Sequence, residues 1–149
     1  MSQTTVSMEE IEWKGVPIKH CEFIRAQRKF SNMSRSDIED TINNVTLSNL
    51  SEEDRDFIVK NISPTLEECI GGSRETRTTY LYNLMKLITY RYKQYKMKEI
   101  DAVKSSDLQK HEEYTQRVFH HYEALRRLKM HLIGGKELMF RDMPEVEVS

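Results

Sequence analysis

The stretch Tyr90-Arg91-Tyr92-Lys93-Gln94-Tyr95-Lys96-Met97-Lys98 interleaves aromatic rings with cations. That pairing suits two chemistries. Cations neutralise phosphates while rings stack on bases, which is how nucleic acid is held. Alternatively, the rings bury against a protein partner and the cations mainly steer its approach. A plainer use needs no ligand. Lys and Arg near a helix C-terminus suit the negative pole of the helix dipole, and tyrosines three residues apart are ordinary packing residues. Trp13, beside Gly15 and Pro17, is either a plug over a helix end or an anchor for a partner.

Other chemistry-bearing residues form weaker patterns. The histidines are His20, His111, His120, His121 and His131. His120 and His121 are neighbours, so on a helix they point about 100° apart. No His-x-x-x-His occurs, and no carboxylate–His pair has the spacing of a helical metal site, so no zinc or di-iron site is expected. Cys21 and Cys69 lie far apart, each on an apolar helix face, and are expected to be inert packing thiols in a reducing compartment. There is no Gly-x-Ser-x-Gly and no phosphate-cradling glycine loop. Gly71-Gly72 ahead of Arg74 and Arg77 could hold an anion at a helix N-terminus, or simply end one helix and start the next. The expectation is a protein that is not an enzyme, with no catalytic residue, metal, cofactor or small-molecule substrate.

The elements that carry these residues are helical. Leu81, Leu84, Met85, Ile88, Tyr92 and Tyr95 recur at steps of three and four. They predict a central helix from about Ser73 to Met97, or to Ile100, with Tyr80 and Leu87 widening its stripe. After a polar joint, Asp101 to Ser106, the same spacing predicts a second long helix over 107–132. Its periodic positions are Leu108, Tyr114 or Glu113, Val118, Tyr122, Leu125, Leu128 and Leu132. Two long helices joined by a short polar turn pack most readily as an antiparallel hairpin. Upstream, short helices are predicted over 18–30, from near Ser36 to about Thr46, from Ser51 past Ile62, and over 64–70 with Ser63 as cap and Pro64 first.

The fold class is therefore all-α: a long antiparallel helical hairpin with several shorter helices packed at one end. Residues 1–10 read as disordered, 11–135 as one helical domain, and 136–149 as a tail or linker. A length of 149 residues suits one core, and 38% hydrophobic with 32% charged residues fits a soluble helical chain. No apolar run approaches the length of a membrane span, and the polar, acidic start is not a signal peptide. Charge is unevenly spread. Residues 1–73 carry 8 Lys/Arg and 13 Asp/Glu, whereas 74–136 carry 14 and 7. The basic half could face nucleic acid, an acidic protein or the chain's own acidic half.

The order of these features resembles a known family. Arg77 to Leu84 (RTTYLYNL), then Met85-Lys86-Leu87-Ile88 and Arg91, is similar to the central helix of the GINS complex subunits that carry their helical domain first. Ser105-Ser106-Asp107-Leu108 through Glu113-Tyr114 resembles the start of that family's next helix. Asp142-Met143-Pro144 with Val146 and Val148 is similar to its acidic-proline linker. The small β-rich domain that usually follows has no room here, and Trp13-Lys14-Gly15-Val16-Pro17 has no counterpart in the family. The resemblance implies a non-enzymatic scaffold subunit in the nucleus, packed against sister subunits in an assembly that binds the replicative helicase at DNA forks. The residues expected to touch protein partners are Trp13, Tyr80, Tyr82, Arg91, Tyr92 and Tyr95. The alternative is a free-standing nucleic-acid-binding or regulatory helical protein using Arg91, Lys93, Lys96 and Lys98.

Overall fold

The computed structural model describes residues 16–135 and 137–146. Trp13 lies outside them. Among the described residues six α-helices follow in order: α1 His20–Ser31, α2 Arg35–Asp40, α3 Glu52–Asn61, α4 Leu66–Ile70, α5 Arg74–Lys104 and α6 Leu108–Ile133. A π-helical turn, Thr41–Thr46, extends α2, and a 3-10 turn, Phe140–Asp142, lies in the tail. Among the described residues there is no strand, so the chain is all-α.

Helices α5 and α6 form the antiparallel hairpin that the periodicity predicts. Tyr95 meets Tyr114 and His121 across it, and Thr115 donates a hydrogen bond to Glu99. Leu84, Ile88, Val118, Tyr122 and Leu125 are all buried between or beside them. The joint is shorter than expected. Helix α5 continues through Lys104 because Ala102 is buried, and the chain reverses at Ser106, whose φ is 58°. Asp107 then caps α6 by accepting from the Lys110 amide. Leu108 turns away from the bundle and is 80% exposed, although its spacing had suggested a core position.

The short helices cover one end and one flank of the hairpin. Helix α1 buries Phe23, Ala26 and Phe30 against α5 and α6. Cys21, expected to be packed, lies on the opposite side of that helix and is exposed. Ser34, Ser51 and Thr65 cap α2, α3 and α4, each accepting an amide from the residue three positions on. Pro64 is thus outside α4 rather than its first residue. The tail docks on the hairpin: Leu138 and Met143 are buried, and Tyr122 Oη donates to the Leu138 carbonyl at 2.9 Å. Among the described residues, no helix is long and apolar enough to cross a membrane.

Candidate interaction surface

The tyrosines of α5 belong to the core. Tyr80, Tyr82, Tyr92 and Tyr95 are each at most 4% exposed. Tyr80 stacks on Phe30 and Tyr82 meets Phe23 edge-on, so both hold α1 to α5. These rings present no open face to a partner, because α1, α6 and the tail already cover the wide apolar arc of α5. Of the tyrosines in the Tyr90–Tyr95 stretch, only Tyr90 projects outward, at 51% exposure.

Arg91 is likewise engaged inside the chain. Helix α3 brings Asp54, whose side chain is 2% exposed, against α5. Arg91 Nη2 donates to Asp54 Oδ1 at 2.8 Å, and Tyr95 Oη donates to the same oxygen at 2.6 Å. Ser51 Oγ donates to Oδ2 at 3.0 Å. From α6, Arg117 Nη1 reaches Tyr95 Oη at 2.8 Å, Glu53 at 3.2 Å and Asp54 at 3.4 Å. His121 packs its ring on Tyr95 and its Nδ1 donates to the Arg117 carbonyl at 2.7 Å. Three helices thus meet on one carboxylate. Burial pushes Asp54 up, but the bond from Tyr95, the adjacent His121 ring and the bonds from Arg91 and Ser51 hold it below its ordinary value. Burial drives His121 down and Tyr95 up to about 12, the latter reinforced by its bond to Asp54. This hub fastens helices together, with Arg91 Nε and His121 Nε2 the atoms in it that are buried without a hydrogen-bond partner.

The cations of the alternative reading are divided. Lys96 pairs with Glu99 at 2.9 Å, whereas Lys98 is exposed and takes part in no ion pair among the described residues. Lys93 is half-buried. At the other end of α5, Arg77 spends its guanidinium on four backbone carbonyls: Ser31, Met33, Cys69 and Ile70. It closes the C-termini of α1 and α4 together and is not free to bind an anion. Gly72 is required there, since a Cβ would stand 2.6 Å from the Glu68 carbonyl and 2.8 Å from Thr76. Burial raises the Cys69 thiol to about 11, which leaves it un-ionised and unreactive near neutral pH. Among the described residues, no three His, Cys, Asp or Glu side chains converge as metal ligands.

Two surface features remain. The first is an aromatic ridge where α6 meets the tail. Phe119 lies 5.8 Å from Tyr122, which lies 5.2 Å from Phe140 (ring centroids). Phe119, Phe140 and the adjacent Met139 are 48%, 40% and 44% exposed. The sequence reading passed over these residues. Phe119 falls outside the buried α6 stripe, and that offset is the signal that could have marked it. The second feature is a trough between α3 and α5, considered below. Comparison with family models, with characterised proteins and with solved structures yields no match.

Proposed function

We propose that this chain is a non-enzymatic interaction subunit of a multiprotein assembly, with a GINS-like replication scaffold in the nucleus as its setting. The observation that carries the interaction reading is the ridge of Phe119, Met139 and Phe140. It is an apolar surface formed by α6 and the docked tail, continuous with core rings beneath it. Such a patch is costly to leave in water and is the kind of surface that partners cover. The assembly role is favoured over direct nucleic-acid binding because Arg91 and Lys96 are already paired with Asp54 and Glu99. The replication setting rests on the motif resemblance of Arg77 to Arg91 and Ser105 to Tyr114.

The test is sedimentation of the chain, tagged at its natural level in its own cells. The expected result is that it travels in a stable complex much larger than 17.7 kDa, and that Phe119→Ser with Phe140→Ser releases it as a folded monomer. A wild-type chain that sediments as a free monomer would overturn the subunit reading. Salt-sensitive binding of the isolated chain to DNA, lost on reversing Lys93, Lys96 and Lys98 to Glu, would replace it with the nucleic-acid reading.

A further inference from the structure

Helix α3 runs antiparallel to α5 and leaves a trough beside it. Asn83 Nδ2 donates to the Ser63 carbonyl at one end, and Arg91 meets Asp54 near the other. Two depressions of about 500 and 420 Å³ share Asn61 and are separated by the stacked rings of Phe57 and Tyr90. The α5 side is a single helical stripe, from Asn83 through Lys86, Leu87 and Tyr90 to Lys98. At 1.5 Å per residue that stripe is about 22 Å long, or about four helical turns.

The chemistry of the trough is lopsided. Its floor is apolar where Leu87 and Tyr90 meet the stem of Lys86. Lys60, Lys86 and Lys98 rim it, all three exposed, and none takes part in an ion pair among the described residues. The carboxylates on the rim are Glu53 and Asp56, and Glu53 is already bound to Arg117. Arg91 is neutralised by Asp54. The net unpaired charge facing the trough is therefore positive. Both walls are α-helices, so the backbone offers no unpaired edge on which an extended strand could add. A third helix, laid in the groove with its apolar side down, completes the packing.

We propose that this trough receives an acidic amphipathic helix from a partner protein. An apolar side chain of that helix seats between Leu87 and Tyr90, and its carboxylates face Lys60, Lys86 and Lys98. This assignment rests on the interaction-subunit reading and names a second docking face, separate from the Phe119–Phe140 ridge.

The probes are two synthetic helical peptides with the same leucines at three–four spacing, one with Glu and one with Lys on the polar face. Binding is followed by fluorescence anisotropy and by amide shifts of the labelled full chain. The expected result is that the Glu peptide binds at least about tenfold more tightly than the Lys peptide, with shifts centred on Asn61, Lys86, Leu87 and Tyr90. Tyr90→Ala weakens it about tenfold, and the triple variant Lys60→Glu, Lys86→Glu, Lys98→Glu reverses the preference. All four side chains are exposed, and circular dichroism checks that the variants keep their fold. Equal affinity for both peptides, or shifts centred on another face, would overturn the proposal. So would displacement of the Glu peptide by an oligothymidylate or by a peptide of residues 1–15 of this chain, or self-association through Tyr90. Sedimentation of the cellular complex is unaffected by any of these outcomes, so failure here is distinguishable from failure of the subunit reading.

Discussion

Arg77 and Arg91 stand about four turns apart on α5, and they are compensated in opposite ways. Arg77 donates to four backbone carbonyls at the ends of α1 and α4, where the partial negative charge of two helix termini collects. The acceptors in that clasp are backbone carbonyls, which carry no ionisable proton. Arg91 donates to the Asp54 carboxylate inside a cluster that also holds Tyr95, Arg117 and His121. Its compensation depends on a proton balance. The same side chain thus makes one end of the bundle indifferent to pH and the other end sensitive to it.

The sharpest way to break this comparison is to remove the carboxylate. Asp54→Ala leaves the half-buried Arg91 without its counter-charge and is expected to cost about 3 kcal/mol by chemical denaturation. A loss below about 1 kcal/mol would show that the hub does not fasten α3. Arg77→Met orphans carbonyls at two helix ends and is expected to cost about 2 kcal/mol, by the same amount at every pH. A pH-dependent loss would mean that the clasp is not the inert partner described.

The pH dependence itself follows from the directions of the shifts. His121 is held below its ordinary 6.5 by burial. The unfolded chain therefore takes up that proton first, and stability is full above pH 6.5 and falls as pH drops below it. Asp54 is held below its ordinary 3.8. Its contribution persists above that pH and is lost as pH falls through its lower folded value. Thermal midpoints should decline in two stages on acidification, and His121→Asn, which keeps a donor for the Arg117 carbonyl, should remove the first. A single acid transition near pH 4 in both proteins would contradict the assignment. The smallest effect is expected away from both arginines. Phe119→Ser should change stability by no more than about 0.5 kcal/mol, since its ring is half in water and holds nothing together.

The hairpin was legible in the sequence because Leu81, Leu84, Ile88, Val118, Leu125 and Leu128 repeat at the helical period over long runs. The tyrosine stripe was legible as apolar, but not as covered. Tyr80 and Tyr92 read the same whether α1 and the tail or a foreign subunit lies over them, since periodicity names a face and not its neighbour. The hub left no local trace at all. Asp54 is 37 residues from Arg91 and 63 from Arg117, and its own surroundings, Ser51-Glu52-Glu53-Asp54, read fully as a helix cap. Arg77 likewise passed for an anion-binding candidate, because carbonyls contributed by Ser31 and Met33 are invisible to residue type. The end of α5 was misplaced for a smaller reason. Asp101 and Lys104 are tolerable in a helix, and the reversal is set by the left-handed Ser106.

The fastening of α1 has a bearing on how the chain comes into being. Arg25 donates to the Ile133 carbonyl, 108 residues downstream, and Lys29 to that of His131, 102 residues downstream. Lys129 pairs with Glu22 at 3.0 Å in the same region. During synthesis α1 leaves the ribosome roughly a hundred residues ahead of its counterpart. At about 5–20 residues per second, Phe23 and Phe30 wait roughly five to twenty seconds for the last turns of α6. A nascent chain released after α5 can set Phe23 and Phe30 on Tyr82 and Tyr80, but it lacks the α6 carbonyls that fasten Arg25 and Lys29, and is the form of this protein most in need of a chaperone.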